Sequence, residues 1–382
     1  MKKTFLIALL FTFVNTLSAT DISVRIYADR TIRSAQLSCV LGTYRLTDEH
    51  GKEILRLNED DSIILQTDRR WVKVLKDDET IGHFKTVTIK GEGQENRFRI
   101  SPIQAGIRER IYDDHLEISV ENNALRFINI VDLENYIAGV VQSEVLGSSD
   151  DVDFFKIQAI ISRTYAKTNL QKHRRDRFNL CDGVHCQAYY GRNVTPGILQ
   201  GTKESAGMVL VDQNGRTILA SFHANSGGQT MNSEDVWVSA VPYLRSVVDT
   251  FSLDMRGSTW RREFPVNEWL NALHRHYRYD IRNETKRANA LNFEQNERKS
   301  HFHENIRLRD IRRDFDLRST FFSVRQEGDM VILEGRGYGH GVGLSQEGAV
   351  RKIREGFSVE EVLKFYYRGV ELIRLNNIYD GE

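Results

Sequence analysis

The chain has 382 residues, 40% of them hydrophobic, which is enough for a large core in one or two domains. Its 53 basic and 53 acidic residues cancel, which argues against a general nucleic-acid binder with its basic excess. Four prolines and no low-complexity stretch argue against a tail-and-linker architecture.

Lys2 and Lys3 form a positive n-region, residues 4–14 are mostly apolar, and Thr16-Leu17-Ser18-Ala19 follows with a small residue at the −1 position. This predicts an export signal over residues 1–19, although Leu17 at −3 is a poorer match. The apolar stretch is short for a membrane span. The expected location is the periplasm or extracytoplasmic cell envelope; an uncleaved signal would instead anchor the chain, and a buried N-terminal strand is the structural alternative.

Residues 20–132 read as a strand-rich part. Residues 22–27 (ISVRIY) and 116–120 (LEISV) alternate apolar and polar, and turn signals such as DEHG at 48–51 separate such runs. Leu133 opens a different pattern. Residues 133–141 suit a short helix with Ile137, Val140 and Val141 inward, and Glu144 follows just beyond it. A polar Gly-Ser-Ser-Asp loop leads to a second helix over about 153–173, with Ile157, Ile160, Ile161 and Tyr165 on one face and Arg163 off that stripe. Strands return at 208–212 and 217–222. Residues 286–313 mix acids with bases and read as exposed loops and a helix. A helix over about 358–367 closes the chain. The order predicts an α+β, strand-rich fold with a few helices packed around a groove.

Chemistry gathers at four places. Cys181, His185 and Cys186 share one short loop, while Cys39 stands alone. Zinc ligation, with His173 a candidate for the fourth position, a Cys181–Cys186 disulfide and free thiols all stay open. Glu144 at the edge of an apolar helix can have a raised pKa and serve as a general acid, although a surface glutamate has the same spacing. Residues 221–230 (SFHANSGGQT) end a strand in a Ser/His/Asn turn with paired glycines. They lack the Gly-x-Ser-x-Gly elbow, so a serine peptidase built on Ser221 or Ser226 with His223 is weak.

The fourth place is residues 335–349, GRGYGHGVGLSQEGA. Glycine occupies alternate positions from Gly335 to Gly343. If extended, the segment carries one face without side chains and presents Tyr338 and His340 on the other, with Ser345 and Gln346 following. It lacks the Lys-Ser/Thr pair of a phosphate loop.

These segments, taken in order, resemble the stage II sporulation protein D / LytB domain family. Residues 133–145, 156–167 (KIQAIISRTYAK), 178–191 (FNLCDGVHCQAYYG), 221–249 and 317–349 carry the likeness, and the glycine run is the most specific. The resemblance implies a catalytic core over 133–376. It implies a lytic transglycosylase that cuts the β-1,4 bond between N-acetylmuramic acid and N-acetylglucosamine in peptide-stripped glycan strands, leaving 1,6-anhydro ends. Glu144 matches the family's catalytic glutamate. Cys181, His185 and Cys186 match a structural zinc cluster, and no organic cofactor is implied. His223, Ser226, Tyr338, His340, Ser345 and Gln346 are then candidate sugar contacts. The rival reading is a non-enzymatic peptidoglycan-binding protein that activates a cell-wall amidase. The polar loop after Val145 and the highly charged residues 278–309 depart from the usual pattern.

Overall fold

The computed structural model describes residues 21–145, 147, 149–183 and 185–375. The expected export signal at 1–19 lies outside the described residues. Among the described residues no helix is long and apolar enough to cross a membrane.

The N-terminal third is a run of ten strands: β1 (Asp21–Ile26), β2 (Ser34–Thr47), β3 (Glu53–Leu57), β4 (Ser62–Asp68), β5 (Trp71–Lys76), β6 (Glu79–Phe84), β7 (Thr86–Pro102), β8 (Arg110–Asp113), β9 (His115–Glu121) and β10 (Ala124–Asp132). Alternation sets which face is buried. Ile22, Val24 and Ile26 of β1 and Leu116 and Ile118 of β9 point inward, as their period-two pattern requires. The helices α1 (Leu133–Val145) and α2 (Val152–Asn169) follow, then β11 (Leu180–Cys181), α3 (Pro196–Glu204), β12 (Met208–Val211), β13 (Phe222–His223) and α4 (Ser233–Val236). Asp151 caps α2, its carboxylate accepting the Asp153 N–H at 2.8 Å. The remaining elements are β14 (Thr259–Pro265), α5 (Val266–Tyr277), α6 (Glu284–Leu291), α7 (Leu308–Asp314), β15 (Phe321–Glu327), β16 (Met330–Arg336), β17 (Leu344–Ser345), α8 (Gln346–Arg354), α9 (Val359–Tyr366) and β18 (Glu371–Arg374). A capping box between Ser358 and Glu361 starts α9.

The α+β, strand-rich expectation is met. One large sheet runs β11-β1-β10-β9-β7-β2-β4-β5-β6, with β3 on β2 and β8 on β7. β11 joins β1 in parallel, so the loop carrying the cysteines is tied to the sheet edge. One buried cluster extends from Ile22 to Val370 and joins the sheet to α1, α2, α8 and α9.

Three local expectations are corrected. α1 runs to Val145, so Glu144 lies in its last turn rather than beyond it. Arg163, off the apolar stripe, is only 1% exposed; its guanidinium meets Glu134 of α1 at 2.8 and 2.5 Å and donates to the Met208 carbonyl at 3.1 Å. The charged residues 286–313 are not merely exposed loops. With β14, β15, β16 and α5 they build a second apolar core around Trp269, Phe293, Phe302 and Ile311. The chain leaves for this unit beside Ser258 and returns at Gly337, whose N–H donates to the Ser258 carbonyl at 2.9 Å.

The Arg163–Glu134 pair locks α1 to α2 and to the start of β12. Removing one partner of such a pair strands a buried charge, which costs about 3 kcal/mol or more. Glu134→Ala should therefore lower the unfolding free energy by about 3 kcal/mol in chemical denaturation; an unchanged midpoint would show that the pair is not structural.

Candidate functional site: a buried carboxyl under a cysteine–histidine loop

Residues 186–191 lie directly on α1. The fit depends on Gly139: a Cβ there would stand 2.5 Å from the Tyr189 ring and 2.6 Å from the Gly191 carbonyl. With glycine present, Tyr189 packs against Tyr136 at a centroid distance of 4.9 Å and donates its hydroxyl to Asn129 at 3.0 Å. Polar contacts then follow along the helix. Tyr136 donates to the Gln187 side-chain oxygen at 3.2 Å, and the Tyr190 N–H donates to Ser143 Oγ at 3.0 Å. The Ala188 N–H donates to Glu144 Oε1 at 3.0 Å.

Burial raises the Glu144 pKa from the ordinary glutamate value, and the Ala188 N–H offsets only part of that. No cation contributes to the balance. Glu234, in the short helix α4, has the opposite environment: it is exposed and pairs with Arg245, whose hydrogen bonds hold its pKa down to about 2. The two carboxyls are thus shifted in opposite directions: the Arg245 pair favours the Glu234 anion, and burial favours the protonated form of Glu144.

The loop that supplies Ala188 also carries the cysteines. His173, Cys181, His185 and Cys186 bring one ligand atom each to within 4.8 Å of one another. Cys186 Sγ lies 3.4 Å from His173 Nε2, and His185 Nδ1 lies 3.8 Å from both sulfurs. All three cysteines are free thiols. A hydrogen bond from Cys186 lowers the pKa of Cys181, so this thiol gives up its proton readily. Between the cysteines, Asp182 is buried and accepts from the Tyr27 and Ala28 N–H groups at 2.6 and 3.0 Å and from Arg110 at 2.7 Å. It fixes the loop to the end of β1.

The six candidate sugar contacts cluster at the glycine run, but not as a flat strand. Gly337, Gly339, Gly341 and Gly343 all have φ between 72° and 112°, so the run is a chain of left-handed turns and the side-chain-free face expected from an extended segment does not form. A Cβ at Gly343 would stand 2.0 Å from the Ser221 carbonyl. The turns wrap the segment around β13, which pairs in parallel with β17. The rings of His223 and His340 lie 5.6 Å apart, and Trp237 lies 5.5 Å from His340.

Within this cluster Ser226 and Ser345 are fully buried, and their hydroxyls are engaged inside the protein. Ser226 donates to Asp249 at 2.7 Å, while Ser345 accepts from the Ser226 N–H at 3.2 Å and caps α8. Burial first, then the His340 ring, lowers the pKa of His223 and keeps it neutral; its Nδ1 faces the Val342 carbonyl at 3.2 Å, and Nε2 has no hydrogen-bond partner among the described residues. Gln346 likewise keeps a buried Nε2 without a hydrogen-bond partner among the described residues. Tyr338 is half exposed and His340 partly so. Sequence reading missed the groups that hold the turn: Asn225 and Gly257 both donate to Glu347, and the Arg298 guanidinium donates to the Ser226 carbonyl at 2.7 Å. Arg298 sits among mixed charges and gives no signal of this role. Glu144 makes no hydrogen bond to the glycine run among the described residues; it belongs with the cysteine–histidine loop.

Residues 121–211, from β9 through β12, match the family model described as Stage II sporulation protein (SpoIID). The chain is similar to Stage II sporulation protein D of Bacillus subtilis (strain 168), 26% identical over 313 residues covering 76% of this chain and 88% of that protein. The protein of the same name from Bacillus amyloliquefaciens is 29% identical over 318 residues, covering 76% and 85%. An amidase enhancer of Bacillus subtilis is 25% identical over 299 residues, covering 62% of this chain but 40% of that longer protein. The matched stretch, similar to the Stage II sporulation protein (SpoIID) family model, holds α1, α2, Glu144 and the whole cysteine–histidine cluster.

Proposed function

We propose that the protein is a lytic transglycosylase of the cell wall. It cleaves the β-1,4 bond between N-acetylmuramic acid and N-acetylglucosamine in peptide-stripped glycan strands and leaves 1,6-anhydro ends. The observation that carries this reading is the environment of Glu144: a buried carboxyl with a raised pKa and, among the described residues, one N–H partner and no neighbouring cation. Its protonated form donates to the departing glycosidic oxygen. The resulting carboxylate then takes the proton of the sugar's own C6 hydroxyl as that oxygen attacks C1. Ordinary glycosidases need two carboxyls; here the nucleophile travels with the substrate, so one carboxyl serves both proton transfers. Tyr338 and His340 keep exposed atoms for sugar contacts, while Ser226 and Ser345 hold the turn that presents them.

The donor set of His173, Cys181, His185 and Cys186 fits zinc, two sulfurs and two imidazoles in one compact cluster. Bound there, the metal would be structural and would supply cross-linking rather than chemistry. These residues flank the loop that aims the Ala188 N–H at Glu144, so the cluster bears on the acid's environment through the backbone.

The similarity to an amidase enhancer supports a second reading, a glycan-binding activator of a cell-wall amidase. The two readings separate at Glu144. Glu144→Gln keeps size and hydrogen bonding but cannot donate a proton, and loss of general acid–base catalysis costs about 10²–10⁴-fold. Digestion of peptide-free strands followed by mass spectrometry should therefore show almost no anhydro product from the folded variant. Wild-type product levels would remove Glu144 from the chemistry; no product from either protein, with an amidase still stimulated, would favour the activator.

The raised pKa fixes the sign of the pH dependence. Cleavage should fall as pH rises through the folded-state pKa of Glu144, where the acid form is lost. The native state binds this proton more tightly than the unfolded chain, so its contribution to stability also fades as pH rises through that window. Glu144→Gln should thus gain thermal stability over wild type at neutral pH and lose that advantage in acid. An equal difference at all pH values would contradict a buried, titrating carboxyl.

Protein purified without chelator should contain zinc in elemental analysis. Cys186→Ser should lose it and melt at a lower temperature. A Cys181–Cys186 disulfide in peptide maps, with no metal, would decide for the cross-link instead.

A further inference from the structure

Beside the glycine run a cavity of about 530 Å³ opens between β14, α7 and Tyr338. Trp260, Arg262, Arg312, Asp316, Arg318 and Tyr338 line it. Arg261 at its rim is neutralised by Glu263 at 2.9 Å, but among the described residues no ion pair reaches Arg262, Arg312 or Arg318. Their contacts are of other kinds. Arg262 lies 5.9 Å from the Phe264 ring and Arg318 lies 5.7 Å from the Tyr338 ring, while Arg312 donates to the Leu317 carbonyl at 3.2 Å. Asp316 is the one acid in the lining, so the cavity keeps a positive excess. Burial lowers the pKa of Arg312, and Tyr338 and Asp316 offset only part of it; the remaining desolvation cost is one that a bound anion would relieve.

The cavity is coupled to the glycine run. The Gly339 N–H donates to the Arg318 carbonyl at 2.9 Å, and Tyr338 exchanges backbone hydrogen bonds with Asn225 at 2.8 and 3.0 Å. Tyr338, 50% exposed, offers a ring face beside the guanidinium groups. A flat aromatic face with planar, fork-shaped donors next to it suits a pyranose bearing a carboxylate.

We propose that this cavity binds the carboxylate of an acidic sugar, which in a glycan strand is the lactyl carboxylate of a muramic acid whose stem peptide has been removed. A stem peptide joins that carboxyl as an amide and removes its charge. Arg262, Arg312 and Arg318 would therefore select stripped over peptide-bearing residues, and the site reads the product of peptide removal. This inference rests on the glycan-strand reading above.

The test is co-sedimentation of the full chain carrying Glu144→Gln, so that strands stay intact. The probes are peptide-free strands and the same strands with their carboxyls coupled to methylamine. Charge-assisted hydrogen bonds to a carboxylate are worth about tenfold to 100-fold in affinity. Blocking the carboxyls should weaken binding by about that factor. Arg262→Gln with Arg318→Gln should weaken binding to native strands to the same extent, and should leave binding to blocked strands unchanged. Equal binding of both strands by the parent, or an equal loss on both strands in the arginine variant, would overturn the proposal. Displacement of native strands by a glycerol-phosphate polymer would overturn it too, by showing a general anion site. Anhydro-product release by the wild type is scored separately: its absence alongside carboxylate-dependent binding defeats the lytic reading alone, and its presence without carboxylate dependence defeats this inference alone.

Discussion

The docking of residues 186–191 on α1 is the contact on which the candidate chemistry depends. Gly139 makes room for Tyr189, and Tyr189 sets the register in which Gln187, Ala188 and Tyr190 meet Tyr136, Glu144 and Ser143. The same contact covers Glu144, and burial is what raises its pKa. A single backbone N–H is a small offset to that burial, so the carboxyl stays poised to hold a proton. Asp182 and the β1–β11 pairing anchor one end of the loop to the sheet, and His173, Cys181, His185 and Cys186 gather near that anchor. The geometry of one hydrogen bond is thereby tied to the largest rigid element in the molecule.

Much of this was legible in the chain. Period-two alternation in residues 22–27 and 116–120 gave strands because one face of the sheet must be buried, and the helical stripe of Ile157, Ile160 and Ile161 gave α2. The Cys/His grouping also survived, since three of its members lie within six residues and His173 is brought close by the turn after α2. What failed did so for physical reasons. Arg163 lies off the apolar stripe of α2, and that position gave no sign of its burial, because Glu134 comes from another helix to pair with it. Residues 286–313 were read by their charge, while their scattered Phe293, Phe302 and Ile311 needed the strands β14–β16, distant in sequence, to form a core.

That second core changes how the glycine run is understood. The unit it supports starts and ends at adjoining backbone, Ser258 and Gly337, so it is mounted on the run like a bracket. Arg298, from this unit, reaches back to the Ser226 and Gln229 carbonyls. The position of Tyr338 and His340 is thus fixed from both sides. Ser226 and Ser345, expected as sugar contacts, close the turn from within together with Asp249 and Glu347.

The left-handed turns at Gly337, Gly339, Gly341 and Gly343 have an evolutionary consequence. At each, a methyl group would strike a neighbour within 2.8 Å: the Asn225 carbonyl, His223 Cβ, the Arg298 guanidinium or the Ser221 carbonyl. Descendants of this chain must keep these glycines whatever sugar they handle. Their retention among relatives would record backbone sterics and carry no information about substrate. The informative positions are the ones between them. Tyr338 and His340 project from a scaffold that cannot drift, so a change of specificity can proceed there one side chain at a time without unfolding the turn.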